Sequence, residues 1–374
     1  MRNIYLMIAI ITTHFVSVPA LGADSTAVSK PAVSKISWSG FVDVYYSKNF
    51  NSPSNQMNQL RNYDIYENQF GFNFVKLTVQ EQAQPIGFRV DLALGTGNDV
   101  MQGLLNPRTG ATVPSSSTLN LVEQAYLTAV VPIGSGLTVD IGKFTSMMGY
   151  EVIESNGNWN YSHSLLFSLA IPSFHMGMRL TYPLTGDFTI ALHIVNSWDS
   201  IIDNNKSKTV GLGLNYSPTS AITITLNGMS GFEQPAGVPC GKKDVGELIV
   251  TQQIGNDLTF AVDAGYGRER VSDSLDIWEG VTAYVKYNLD SRSNLAVRGE
   301  VYYDPNGYTT GAMFSKPTFK EVTLTYEYRP WDPIILRLEA RDDFANGKLF
   351  VSASSALPPR SSQPTLLGGV IVTF

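Results

Sequence analysis

The sequence predicts an all-β chain, a transmembrane antiparallel β-barrel of about 16 strands with short periplasmic turns and long extracellular loops. Three observations carry this prediction. Apolar residues recur at every second position in segments of about ten residues, the connections between those segments are alternately short and long, and the chain closes on an apolar strand ending at Phe374.

The beginning of the chain is of another kind. Arg2 is followed by an apolar stretch from Ile4 and then by the small residues Ala20, Gly22 and Ala23, the three-part pattern of an export signal. Residues 1–23 are therefore expected to be a cleaved signal peptide, 24–35 a short polar N-terminal segment, and 36–374 the barrel. Beyond residue 23 no run of 18 uninterrupted apolar residues occurs, and the stretch from Leu165 to Leu180 is broken by Ser168, Pro172, Ser173, His175, Gly177 and Arg179. That argues against a helical membrane protein.

Composition narrows the class further. Only 16% of residues are charged, against roughly 25% in an ordinary soluble domain. The formal charge of −6, without basic runs, leaves no electrostatic footprint for nucleic acid. Cys240 is the single cysteine, so no intrachain disulfide can brace an exported chain of this length. A sheet closed on itself by hydrogen bonds would supply the rigidity.

The alternation is clearest in four places. Phe88, Val90, Leu92 and Leu94 oppose Arg89 and Asp91; Phe188, Ile190, Leu192 and Ile194 oppose Thr189, Ala191 and His193. Val322, Leu324, Tyr326 and Tyr328 oppose Thr323, Thr325 and Glu327, while Leu336, Leu338 and Ala340 oppose Arg337, Glu339 and Arg341. The two faces suit different solvents, lipid outside and water inside. Strands are predicted at 36–47, 70–81, 86–95, 119–131, 137–145, 173–182, 187–197, 208–217, 221–230, 245–254, 257–267, 277–288, 293–303, 318–329, 333–343 and 363–374. In 36–47, 70–81 and 119–131 the apolar side changes parity partway, as a β-bulge would make it do.

The short connections, such as Glu81 to Pro85, Pro132 to Gly136 and Ile254 to Asp257, carry the Pro, Gly, Asn and Asp of tight turns. The long ones include Thr96 to Thr118, Ser146 to Pro172, Gly231 to Asp244, Asp304 to Pro317 and Phe344 to Ser362, and short and long alternate without exception from the second strand onward. A soluble sandwich would need a second sheet to cover so many apolar faces. Trp38, Tyr46, Tyr126, Tyr182, Trp198, Tyr216, Tyr266, Trp278, Tyr287, Tyr328 and Trp331 lie near strand ends, where interfacial anchors belong. In the last strand Leu366, Gly368, Val370, Val372 and Phe374 share one face; this terminal pattern resembles the signal read by the barrel assembly machinery of the outer membrane.

Between Gly142 and Tyr182 the chain carries Gly142-Lys143-Phe144, Gly149-Tyr150-Glu151, Glu154-Ser155, Asn160-Tyr161-Ser162, Ser164-Leu165-Leu166-Phe167, Ala170-Ile171-Pro172, His175, Gly177 and Arg179. With Glu123-Gln124-Ala125-Tyr126 and the closing strand, these residues resemble the OmpL-like β-barrel porins of the porin-2 group over essentially the whole chain after the leader. The resemblance implies an outer-membrane barrel of a Gram-negative-type bacterium. It constrains architecture more than substrate.

A barrel of 16 to 18 strands leaves an aqueous channel, whereas about eight strands leave an interior filled by side chains. The expected function is accordingly a porin-like diffusion channel for small hydrophilic solutes or ions; the alternatives are a substrate-selective uptake channel and a surface adhesin or receptor barrel without conductance. The pore-lining candidates are Lys76, Arg89, Asp91, His175, Arg179, His193, Lys286, Arg298, Glu300, Arg337, Glu339 and Arg341, with Asp140, Glu321 and Glu327 on the same side of their strands. Opposed basic and acidic walls orient solutes and tune ion selectivity, while the same charges could simply pair across strands. On the first reading, replacing Arg337 and Arg341 by Gln shifts the reversal potential toward cations.

Long loops fold inward in known porins, which makes Glu151, Glu154, Asn156, Asn158 and Asn160 the constriction candidates; the competing reading extends the next strand through Tyr161 to Leu169. Tyr45, Tyr284 and Tyr302 could form a stacking track for sugars. Ser162, His163 and Ser164 are adjacent in sequence but have no identifiable carboxylate partner, so the chain is not expected to be an enzyme. The four histidines suggest no metal site, and no cofactor is expected. The expected partners are outer-membrane lipid and lipopolysaccharide, the assembly machinery, and small solutes or ions; analogy with 16-stranded porins suggests a homotrimer.

Overall fold

The structure is a computed structural model that describes residues 36–112, 118–354 and 356–374. The export signal at 1–23 and the 24–35 segment lie outside the described residues.

The alternating segments form sixteen strands. In chain order they are β1 (Ser37–Asn49), β2 (Gln69–Glu81), β3 (Ile86–Leu94), β4 (Val122–Val131), β5 (Leu137–Thr145), β6 (Phe174–Pro183), β7 (Phe188–Val195) and β8 (Thr209–Thr219). They continue as β9 (Ile222–Gly231), β10 (Cys240–Ile254), β11 (Leu258–Val271), β12 (Ser274–Asn288), β13 (Ser293–Tyr303), β14 (Thr318–Tyr328), β15 (Ile334–Ala345) and β16 (Ser362–Thr373). Each strand pairs antiparallel with its sequence neighbours, and β1 pairs with β16 from Phe41 opposite Thr373 to Asn49 opposite Thr365, closing the barrel. Closure satisfies the backbone N–H and C=O groups that an open edge would leave to lipid. No described helix is long and apolar enough to cross a membrane.

Period-two alternation becomes an inside and an outside. On β14, Val322, Leu324, Tyr326 and Tyr328 are exposed on the outer wall, while Glu321, Thr323, Thr325 and Glu327 point inward and are buried. Two of the three parity changes in the sequence are bulges. Asp43 pairs with Phe74 but Val44 pairs with Phe72, which leaves Asn73 as the extra residue of β2; Asp91 pairs with Gln124 but Leu92 with Val122, which leaves Glu123 as the extra residue of β4. Both extra side chains are fully buried. The first strand, in contrast, keeps a regular alternation inside the barrel.

The loop pattern departs from strict alternation at one point. On the long-loop side β11 and β12 are joined only by Ser272 and Asp273, because these strands and β10 run well beyond their predicted ends. Val271 still pairs with Ser274, and the extension carries polar pairs such as Arg268 with Asp244 at 3.0 Å, so the wall continues past its apolar belt on this side. The aromatic anchors also divide. Trp38, Tyr216, Tyr266, Tyr287, Tyr328 and Trp331 are exposed, whereas Trp278 is buried inside the barrel and Tyr126 points inward beneath Arg179. Position near a strand end does not determine the face; parity does.

Gly142, in the Gly-Lys-Phe segment of β5, has φ +144, and a Cβ there would lie 2.2 Å from the Ala125 carbonyl oxygen and 2.7 Å from Tyr126 Cα. Both obstacles are backbone of β4, so Gly142→Ala is expected to destabilise the barrel by roughly 1–3 kcal/mol. A lowered urea midpoint for the refolded variant checks this; an unchanged midpoint would mean that the strands part without cost.

Candidate functional site

The connection from Ser146 to Ser173 turns inward and fills the middle of the barrel. Its composition explains the direction. Met148, Ile153, Tyr161, Leu165, Leu166 and Phe167 cannot face water above the membrane without cost, and inside they pack with inward-facing Phe74, Phe144, Trp278, Leu367 and Ile371 and with Tyr63 of the first long loop. The segment Leu166–Ala170 forms one turn of π-helix rather than an upward extension of β6, which begins at Phe174. The extended-strand reading of Tyr161 to Leu169 is thereby corrected.

A loop buried this deeply must satisfy its backbone, and the wall supplies the partners through charged side chains. Glu247 accepts from Gly149 N at 2.9 and 3.0 Å, and Asp263 accepts from Tyr150 N at 3.1 Å. Glu339 accepts from Tyr161 N at 2.6 Å and Ser162 N at 3.0 Å, while Glu300 accepts from Leu165 N at 2.7 Å and Leu166 N at 2.6 Å, at the entry to the π-turn. The arginines take the carbonyls. Arg337 donates to Asn158 O at 2.6 Å, to Asn160 O at 3.2 Å and to Ser155 O; Arg341 donates to His163 O at 2.6 Å; Arg298 donates to Ser162 O and to the Glu151 carboxylate at 2.7 Å.

The twelve pore-lining candidates all sit on inward-facing strand positions, but nine of them are buried: Lys76, Asp91, His175, His193, Arg298, Glu300, Arg337, Glu339 and Arg341. Only Arg89, Arg179 and Lys286 are half-exposed. Arg337 and Arg341 therefore do not stand free in a conducting wall; they are fixed to the loop, because its carbonyl groups need donors where water is excluded. Lys76 is a hub, bonded to Asp91 at 3.0 Å, to Glu123 at 2.8 Å and to Glu154 of the loop. Arg179 pairs with Asp140 at 2.7 Å. Among the described residues no group of His, Cys, Asp and Glu could hold a metal; His175 contacts Ser197 O and Ser146 Oγ, and His193 lies edge-on to Phe144.

The constriction candidates bond to the wall as well as within the loop, Glu154 through Lys76. Glu151 bonds to Arg298 and to Ser164 N, Asn158 bridges Val152 N and O, and Asn160 donates to Thr325, while Asn156 is half-buried. His163 stacks on Phe167 and contacts Val152 O at 2.7 Å; burial lowers its pKa below the ordinary imidazole value. Tyr45, Tyr284 and Tyr302 do not form an open track: they are buried against Tyr161, Tyr150 and Thr309 respectively.

Asp43, Glu247 and Asp263 are loop anchors missing from the sequence list, and Glu123 is a missing partner of Lys76. Glu247 and Asp263 each alternate with outward apolar neighbours, so parity alone could have found them; Glu123 enters through a bulge, whose position depends on pairing with β3. Each of the sixteen strands contributes at least one buried inward side chain.

With this architecture in place, the sequence model of the family described as "Putative beta-barrel porin-2, OmpL-like" matches residues 35–374. The chain belongs to this family. Among solved structures, this OmpL-like porin-family chain is similar to in-vitro folded OmpT, an outer membrane protein of Vibrio cholerae in its trimer form. The TM-score is 0.61 at 11% identity, covering 91% of this chain and 99% of that one. The anion-selective porin from Comamonas acidovorans gives TM-score 0.60 at 11% identity, covering 91% and 100%. The outer membrane channel DcaP of Acinetobacter baumannii gives 0.59 at 9%, covering 91% and 97%. At these identities the likeness establishes the barrel fold shared by the OmpL-like family chain. No curated protein matches it in sequence.

Proposed function

We propose that this OmpL-like family member is a diffusion channel of the bacterial outer membrane for small hydrophilic solutes or ions, with the loop 146–173 as its internal constriction. The observation that carries this reading is the division of one closed sheet into an apolar outer face and a charged inner face crossed by a loop. Sixteen strands enclose more space than wall side chains alone fill, and here the loop takes up the middle of it. Passage then depends on small openings beside the loop or on its displacement, so the unmodified channel conducts in small steps.

Purified, refolded protein in a planar bilayer tests this. Discrete steps are expected; silence both from the wild type and from a variant with the loop released, under conditions where a control porin opens, would overturn the reading in favour of a non-conducting surface barrel.

A further inference from the structure

We infer that the first long loop, residues 50–68, is a latch that enters from the long-loop mouth and pins the constriction loop 146–173 in its inward position. The latch rests on the channel proposed above and supplies its regulation: the resting pore is narrow because two loops hold one another.

The first observation is the shape of this loop. Its arms pair as a short hairpin, with Met57 opposite Tyr66, Asn58 N donating to Ile65 O at 2.8 Å and Glu67 N to Gln56 O at 3.0 Å. The tip reaches the barrel interior, where Leu60, Arg61, Tyr63 and Asp64 are buried. There it sits directly on the constriction. The centre of the Tyr63 ring lies 4.1 Å from that of His163 and 6.4 Å from that of Phe167, and Asn62 donates to Ser168 O at 2.6 Å. Ser168 belongs to the π-turn, so the hairpin holds the same turn whose entry Glu300 holds from the wall.

The second observation is an alternating chain of charges that joins the two loops through the wall. Arg61 bonds to Asp64 at 2.6 Å and to Asp343 of β15 at 2.7 Å. Asp343 is shared with Arg341 at 2.7 Å, and Arg341 lies 3.4 Å from Glu321 of β14. Glu321 bonds to Arg298 of β13 at 2.7 Å, and Arg298 bonds to Glu151 of the constriction loop at 2.7 Å. Every side chain in this chain is at most 3% exposed, so dissolved salt screens it little. Arg61 is the only cation paired with Asp64 among the described residues, and its removal leaves that carboxylate buried and uncompensated.

The third observation is strain. Ser52, Gln56 and Leu60 have φ of +47°, +55° and +59°, in the left-handed region that a residue with a Cβ adopts only at a cost. Such backbone persists where its contacts over-determine it. The hairpin is therefore held in, and it relaxes outward when its anchor is lost.

Two variants test this beside a control. Arg61→Gln removes the anchor. The second variant replaces residues 58–65 by an Asn-Gly turn between the paired Met57 and Tyr66, which deletes the tip and leaves β1 and β2 whole. The control Arg179→Gln breaks an inward ion pair whose bonds run to Asp140 of β5. Limited proteolysis of refolded protein reads the constriction loop, and planar bilayers read the conducting step. Both latch variants are expected to be cut between Ser146 and Ser173 at least roughly tenfold faster than wild type and control, and to conduct in steps about twofold larger. Wild-type cleavage of this loop in both latch variants overturns the latch, whatever their steps. Equal acceleration in the control overturns it too, since any lost wall charge would then suffice. Faster cutting at an unchanged step overturns the regulatory reading while leaving the channel intact, whereas faster cutting with no conductance in any protein keeps the latch and sinks the channel.

Discussion

Replacing Arg337 and Arg341 together by alanine is expected to release the loop 146–173 from the wall and to enlarge the single-channel step severalfold. The two guanidinium groups donate to the Ser155, Asn158, Asn160 and His163 carbonyls across the barrel interior. Hydrogen bonds to charged groups contribute roughly 1.5–3 kcal/mol each, and removing one member of a buried charged contact costs about 3–5 kcal/mol when its partners stay buried. The wall itself retains compensation: Glu327 keeps Arg329 at 2.8 Å, and Asp343 keeps Arg61 at 2.7 Å. The loss therefore falls on loop carbonyls rather than on strand pairing. Limited proteolysis should find new cuts between Ser146 and Ser173 while the barrel remains resistant. A loop still protected, with an unchanged step, would rule out these arginines as its restraint. The structure thus replaces the simpler expectation of a shifted reversal potential by one of a freed constriction.

The second large effect concerns the outer wall. Leu324 lies on β14 opposite Ala340 of β15 and is 48% exposed, with Val322 and Tyr326 exposed on either side. In a bilayer that surface meets acyl chains, and Leu324→Arg is expected to lower stability by roughly 2–4 kcal/mol if it sits at the bilayer midplane. Urea unfolding from lipid vesicles would read this as a lower midpoint, with Leu324→Val close to wild type. Equal midpoints for the arginine and valine variants would contradict the assignment of this face to lipid.

Much of the fold was legible because side-chain alternation along a strand is local. Leu324 beside Thr323, or Leu338 beside Arg337, declares its face without knowledge of any partner, and Pro, Gly, Asn and Asp mark the tight turns. The bulges were half legible: a parity change announced them, but only pairing identified Asn73 and Glu123 as the extra residues. The hairpin at Ser272 and Asp273 was hidden because polar strand extensions above the belt read as loop.

The functional interior divides along the same line. By itself the sequence determined that charged residues such as Arg298, Glu300, Arg337 and Glu339 alternate with apolar ones and so share a face. Whether that face is wet, and what each charge holds, was decided only in three dimensions, where Arg337 meets Ser155 and Glu300 meets Leu165. A charge buys its place in a low-dielectric interior through partners, and here those partners are backbone groups more than a hundred residues away, which carry no side-chain signature in the sequence.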